Sequence, residues 1–118
     1  MQESENPLVI DEGAHEDADE LGLFFLNNAP INFRGPENLQ RFLDELYECY
    51  DRARTFPDSH PIFYGNFRRC TFKRLPCMVL YLVYETRTVA LGVAHVNSDP
   101  ESIIQRIEDR RTERVDDD

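Results

Sequence analysis

The chain has few of the features that mark secreted, membrane-spanning or metal-binding proteins. Its three cysteines, Cys49, Cys70 and Cys77, are odd in number and lack CxxC spacing, which disfavours a disulfide framework or a zinc site. No run approaches the ~20 apolar residues of a membrane span, and the N-terminus has no basic and apolar regions typical of a secretory signal. We therefore expect a cytoplasmic protein with no metal or cofactor, whose thiols are buried as small hydrophobes.

Motifs of established catalytic sites are missing as well. The sequence contains no GxSxG, no Walker loop and no HExxH, and its 118 residues allow one domain with a single core. His15 lies in the acidic N-terminal segment and His60 in a loop before Pro61, and both are predicted to be solvated. His95 ends an apolar run, where it could move a proton near neutral pH. The alternative is that His95 hydrogen-bonds the turn that follows it.

Charge is distributed unevenly along the chain. The net charge is −10, and residues 1–20 hold eight acids without a lysine or arginine. An acidic protein is not expected to bind nucleic acid through bulk charge. Residues 59–84, by contrast, contain no acid, and this basic stretch could hold a specific anion or simply balance the acidic helices. The candidate anion- or nucleic-acid-binding residues are Arg68, Arg69, Lys73 and Arg74.

Three strands are predicted over residues 67–100, and the rest of the chain is arranged around them. Residues 76–84 and 88–96 are near-continuous apolar runs, typical of strands buried on both faces. The polar break at residues 85–87 predicts an antiparallel hairpin between them.

Side-chain alternation assigns faces to the first and last of these strands. In the first, Cys70 and Phe72 share one face, and Arg69, Thr71 and Lys73 share the other. In the last, alternation places Ala90, Gly92 and Ala94 on one face. Because small side chains let a helix backbone approach closely, we expect the helices to pack on this face.

Apolar spacing of three and four predicts two helices before the sheet and one after it. The first begins near Asp11 or Glu12, and the second runs from Pro36 to about Arg54. Loops are predicted at residues 27–36 and 56–66. The third helix is short, with Asp99 as its N-cap and Pro100 at its first position.

The remaining segments complete the predicted organisation. Residues 1–13 form an acidic segment in which 8–10 could be an edge strand, residues 14–111 form the domain, and residues 112–118 form an acidic tail. The first helix carries more apolar surface than one core-facing stripe needs. Leu23, Phe24 and Leu26 are therefore candidate partner-binding residues.

The order of these features resembles the RelE/ParE superfamily of toxins. A basic strand, an apolar strand containing Tyr81, a short break, and VALGVAH followed by Asp99-Pro100 match the C-terminal half of such proteins. The ParE, or plasmid stabilisation, branch is nearest, because its members end in a similar L-x-V-x-H passage followed by D-P. The resemblance spans residues 14–108. It implies an α+β fold, in which an N-terminal two-helix hairpin packs on a small twisted antiparallel sheet with a short C-terminal helix.

The resemblance also implies a function. A ParE-like toxin of a type II toxin-antitoxin system binds DNA gyrase and is neutralised by a cognate antitoxin, with no membrane partner. The alternatives are a RelE-like mRNA endoribonuclease acting on the ribosome, with Arg69, Lys73 and His95 at the phosphate, or a non-toxic degenerate member. RelE-type enzymes often have a catalytic Glu, His or Tyr near the C-terminus; a tyrosine after the last strand is missing here, since nothing aromatic follows Tyr84. We therefore favour the gyrase-binding branch and expect no enzymatic activity; the chain could also form a homodimer.

Overall fold

The computed structural model describes residues 7–28 and 35–116. Residues 1–6 of the acidic segment, residues 29–34 of the predicted first loop and residues 117–118 of the predicted tail lie outside the described residues. The elements in chain order are β1 (Leu8–Ile10), α1 (Glu12–Asn27), α2 (Gly35–Thr55), a 3₁₀ turn (Pro57–Ser59), β2 (Ile62–Tyr64), β3 (Phe67–Thr71), β4 (Cys77–Val83), β5 (Thr88–His95) and α3 (Pro100–Asp116).

The strands form one mixed sheet with the order β1-β5-β4-β3-β2. The β2–β3, β3–β4 and β4–β5 pairs are antiparallel, and β1 pairs with β5 in parallel. The predicted α+β fold is therefore confirmed, together with the central hairpin and the short edge strand near the N-terminus.

The sheet separates two clusters of buried side chains. The hairpin-side core holds α1 and α2 against the sheet through residues that include Phe25, Phe42 and Tyr81. The α3-side core holds α3 against the opposite face through residues that include Leu80 and Ile107. The helix hairpin thus packs on one face, as predicted, and the last helix covers the other.

Side-chain caps fix where two of the helices begin. The Asp11 carboxylate accepts the Gly13 N–H at 3.0 Å at the start of α1. The Asp99 carboxylate accepts the Ser102 N–H at 3.0 Å and the Ser102 hydroxyl at 2.9 Å at the start of α3. Both caps satisfy amides that have no partner within the helix. At its other end α3 continues to Asp116, well into the segment predicted as an acidic tail.

The predicted small-residue face of β5 is wrong, because a β-bulge interrupts the alternation. The register against β4 shifts at Leu91, which has no partner of its own. An extra residue of this kind moves all later side chains to the other face. Ala90 consequently lies in the hairpin-side core and Ala94 in the α3-side core. Gly92 faces α3, since a Cβ there would lie 3.0 Å from Ile107 Cδ1.

The predicted loop at residues 56–66 contains a strand. β2 pairs with β3 through a two-residue turn, and Tyr64 stands opposite Phe67. Gly65 has φ of 57°, a value that glycine adopts without a Cβ clash. The Gly65-Asn66 dipeptide is a hairpin signal that the sequence does contain. None of the helices in the described part of the chain has the length and apolarity that crossing a membrane requires.

Candidate functional site

A groove of about 460 Å³ opens between α1, the first turn of α3 and the carboxyl end of β5. We call it the α1–α3 groove. Its apolar lining residues are Leu21, Phe24, Val93, Ala94 and Ile103. Its ionisable lining residues are Asp17, Glu20, His95, Asp99 and Arg106. The groove lining therefore combines apolar side chains with ionisable ones, among which acids outnumber bases.

One of the groove-lining residues, Asp17, is a buried carboxylate. Asp17 is only 4% exposed. Its Oδ1 lies 2.9 Å from Arg110 Nη1 and 3.3 Å from Arg106 Nη2, and its Oδ2 accepts the Val93 N–H at 3.1 Å. Arg110 also donates to the Leu91 C=O at 3.1 Å. We call Asp17, Arg106 and Arg110 the Asp17 cluster; it connects α1, β5 and α3.

The Asp17 cluster provides hydrogen-bond partners for the part of the β5 edge that no strand among residues 7–28 and 35–116 covers. β1 pairs with β5 only from Thr88 to Ala90. Beyond that point, Asp17 and Arg110 take the place of a neighbouring strand for the Val93 N–H and the Leu91 C=O. Burial by itself would lower the pKa of Arg110, but the hydrogen bond and charge of Asp17 outweigh burial and raise it.

The predictions from the sequence did not include this link. Asp17 is one of the eight acids of residues 1–20, and no role was predicted for Arg110. Asp17 lies three residues after Ala14 and four before Leu21, and Arg110 lies three residues after Ile107. A charge on an apolar stripe of this spacing indicates a buried ion pair, although the sequence alone does not identify its partner.

His95 holds the turn that follows β5. Its Nδ1 accepts the Asn97 N–H at 3.1 Å, and its C=O accepts the Ser98 N–H at 3.0 Å. Because Nδ1 is an acceptor, the neutral ring carries its proton on Nε2. The alternative raised from the sequence, a histidine that fixes the turn, is the arrangement in the structure.

The basic candidates in and after β3 contact different parts of the molecule. The Arg69 guanidinium lies 5.8 Å from the ring centroid of Phe63, and Arg69 pairs with Leu80 of the α3-side core. Lys73 follows the end of β3, and its Nζ lies 3.1 Å from a Glu48 carboxylate oxygen on α2. The predicted common face for Arg69 and Lys73 is therefore not formed.

The other two basic candidates serve loop structure. Arg68 Nη1 donates to the His60 C=O at 2.6 Å and to the Asp58 C=O at 3.3 Å. The Arg74 N–H donates to Glu45 Oε1 at 2.7 Å, which ties the β3–β4 connection to α2. The structure thus does not gather the four cations into one patch, and their role in anion binding stays a prediction.

His60 is half-buried, not solvated as predicted. Its Nδ1 lies 2.9 Å from Tyr81 Oη, and the Tyr81 hydroxyl donates to the Pro57 C=O at 2.8 Å. The Tyr81 proton is thereby used, so His60 Nδ1 must be the donor in their shared bond. Burial and the nearby Arg52 charge lower the pKa of His60. No local sequence pattern indicated this contact between a loop and the sheet.

The apolar residues proposed to bind a partner lie at the end of α1. Leu23 is 58% and Phe24 52% exposed, while Leu26 is half-buried. Phe24 also lines the α1–α3 groove, so the exposed surface and the groove interior are continuous. Exposed apolar patches of this kind often mark interaction sites, and partner binding by these residues remains a prediction.

Comparison with known proteins identifies the fold. No family model matches the chain, and no curated protein matches it. A chain of the chromosomal ParDE TA system from P. aeruginosa is 16% identical with a TM-score of 0.63, over 75% of this chain and 94% of that one. The conserved hypothetical protein HP0894 from Helicobacter pylori is 18% identical with a TM-score of 0.45, over 75% and 92% respectively. This chain therefore has an α+β fold like that of the ParDE-system chain, which is the fold that the resemblance to RelE/ParE toxins predicts.

Proposed function

We propose that the chain is the toxin of a type II toxin-antitoxin pair, of the ParE or plasmid stabilisation type. It acts by binding DNA gyrase, and a cognate antitoxin neutralises it. The ParE-like fold, which extends over 94% of the ParDE-system chain, supports the toxin assignment. The exposed Leu23 and Phe24 side chains support a function that depends on protein partners.

The candidate catalytic groups lie on opposite faces of the sheet, which favours gyrase binding over RNA cleavage. Paired residues on neighbouring antiparallel strands project to the same face of a sheet. Arg69 pairs with a residue of the α3-side core, whereas His95 pairs with Cys77 of the hairpin-side core. A general acid or base must lie within hydrogen-bond reach of the reacting group. Side chains on opposite faces do not meet this condition for one phosphate.

Charge supports the same choice. The net charge of −10 repels the anionic ribosomal RNA. This repulsion acts over distances up to the screening length of about 10 Å. Lys73, the third group of the proposed ribonuclease set, is paired with Glu48. Binding to gyrase requires a cytoplasmic location, and we propose that location as well.

A side-by-side assay of gyrase supercoiling and of mRNA cleavage, with and without ribosomes, tests the proposal. We expect inhibition of supercoiling and no cleavage. His95→Ala should change inhibition only as far as it lowers stability, and His15→Ala is the matched control at an exposed histidine. Cleavage that disappears in His95→Ala would establish the ribonuclease instead. Inactivity in both assays would identify a non-toxic member.

A further inference from the structure

We propose that the α1–α3 groove binds a basic segment of a second protein, one in which a large apolar side chain is flanked by lysine or arginine. The inference rests on the proposed function only for the identity of that protein, the cognate antitoxin. The chemistry of the segment follows from the groove itself.

The groove interior fits an apolar anchor. Leu21, Val93 and Ile103 line it, and Phe24 lines it with half of its surface exposed to solvent. A volume of about 460 Å³ is within the size range of clefts that bind ligands, although this groove is open on one side. Large side chains inserted into such pockets provide most of the binding energy of protein interfaces.

The charges at the rim select a cationic partner. The groove is lined by three carboxylates and one guanidinium, and Asp17 together with Arg106 belongs to the Asp17 cluster. With Arg110 that cluster has one carboxylate and two guanidinium groups, a net charge of +1, so Glu20 on α1 and Asp99 at the start of α3 bring the total to −1. Glu16 and Asp19 are exposed on the same helix. Lysine or arginine on the partner would be attracted, mainly raising the association rate and specificity.

The same charges exclude a second copy of this chain as the favoured occupant. Each copy carries a net charge of −10. Apposing two acidic rims would place like charges together, which is unfavourable at an interface. A basic segment from a different protein meets no such repulsion.

The β5 edge offers backbone groups to the same occupant. The Val93 N–H points away from β4, towards Asp17. In a strand the C=O of a residue, and the N–H two residues later, point the same way. The Val93 C=O and the His95 N–H accordingly face the groove, where an incoming segment can donate to one and accept from the other.

The first experiment measures binding of a short fluorescein-labelled peptide with a central phenylalanine flanked by lysines. We expect this peptide to bind the full chain, and the same peptide with glutamates in place of lysines not to bind. Glu20→Lys should weaken binding at least about tenfold. Glu85→Lys makes the same charge change at the far end of β5 and should leave binding unchanged. Equal binding of both peptides, or equal effects of both variants, would overturn the proposal.

A second pair of variants tests the apolar anchor. Phe24→Ser should weaken binding of the lysine peptide about tenfold or more. Phe56→Ser removes an aromatic ring that is 61% exposed outside the groove and should have no effect. Circular dichroism of each variant excludes unfolding as the cause. Loss of binding in Phe56→Ser alone would place the site elsewhere and contradict the groove.

The final arm separates this inference from the proposed function. The protein encoded beside this chain's gene is titrated against the wild type, Glu20→Lys and Glu85→Lys. Selective weakening by Glu20→Lys would place the antitoxin in the groove. Tight binding that neither variant changes would overturn the groove while leaving the toxin assignment intact. Binding of the lysine peptide by a chain inactive in the gyrase assay would leave the groove intact and remove the gyrase proposal.

Discussion

At the residue scale, Gly92 occupies a point where three elements meet. A Cβ at this position would lie 3.0 Å from Ile107 Cδ1 on α3 and 3.2 Å from Asp17 Oδ2 on α1. We expect Gly92→Leu to overpack this junction and lower the free energy of unfolding by about 1–3 kcal/mol. Gly92→Ala should cost less, because the Ile107 side chain can shift. Urea unfolding of both variants measures whether Gly92→Leu loses more stability than Gly92→Ala. An unchanged midpoint in Gly92→Leu would contradict the position of α3.

The cysteines give a second residue-scale prediction. Cys49, Cys70 and Cys77 are buried and free, as predicted. Burial and the nearby Glu45 charge raise the pKa of Cys77 to about 12. Since the thiolate is the reactive form, iodoacetamide at pH 8 should modify Cys77 far more slowly in the folded chain than in urea. Mass spectrometry of the labelled peptides measures this difference, and rapid labelling of folded Cys77 would contradict its burial.

The raised pKa of Cys77 also sets the direction of a pH effect on stability. Between the ordinary thiol value of 9.0 and about 12, the unfolded chain has lost this proton and the folded chain retains it. Folding stability should therefore be unaffected by Cys77 below about pH 9 and decrease as the pH rises towards 12. Cys77→Ala should reduce this alkaline loss in urea titrations. An identical pH profile in the variant would show that another group is responsible.

At the element scale, the Asp17 cluster replaces a strand along β5. Asp17→Asn keeps an acceptor for Val93 but leaves the Arg110 charge without its anion. Removing one partner of a buried pair costs about 3–5 kcal/mol, and we expect the lower end because the Arg110 side chain is 18% exposed. Arg106→Gln, at a side chain 49% exposed, should cost less than about 1 kcal/mol. Equal losses in the two variants, measured by urea unfolding, would contradict a central role for Arg110.

The elements themselves could largely be predicted from the sequence, because periodicity and caps are local signals. Asp99 caps its helix as expected, and the central hairpin pairs as expected. The bulge at Leu91 was not predictable, since a strand of continuous apolar residues has no polar position to reveal a change of face. The partners of Asp17 were also hidden, because Arg110 is 93 positions away along the chain.

The candidate site was predicted only in part. Leu23 and Phe24 could be found because a helix so apolar on its outer face has nothing within its own hairpin to cover it. His95 could be found as a residue ending a strand, but its bond to Asn97 depends on the geometry of the turn. The groove could not be found, since its two walls lie on helices at opposite ends of the sequence.

At the scale of the whole molecule, net charge and exposed apolar surface have opposite effects on self-association. The apolar patch at Leu23 and Phe24 favours contact with another copy, whereas the net charge of −10 opposes it. We expect a monomer at micromolar concentration and low salt in sedimentation velocity, with any self-association increasing as salt screens the charge. A stable dimer at low salt would contradict this balance. Leu23→Ser should abolish any salt-dependent association.

The Asp17–Arg110 link has a consequence for the order of folding. It joins residues separated by 93 positions, and β1 must also wait for β5 before it can pair. Contacts so distant in sequence form late, because a long loop must close first. During synthesis, α1 therefore emerges from the ribosome long before the strand and helix that complete its surroundings. Although α2 can cover part of α1 early, the side of α1 that contacts β5 and α3 stays exposed until those elements have been translated, so completion of the fold is a late event.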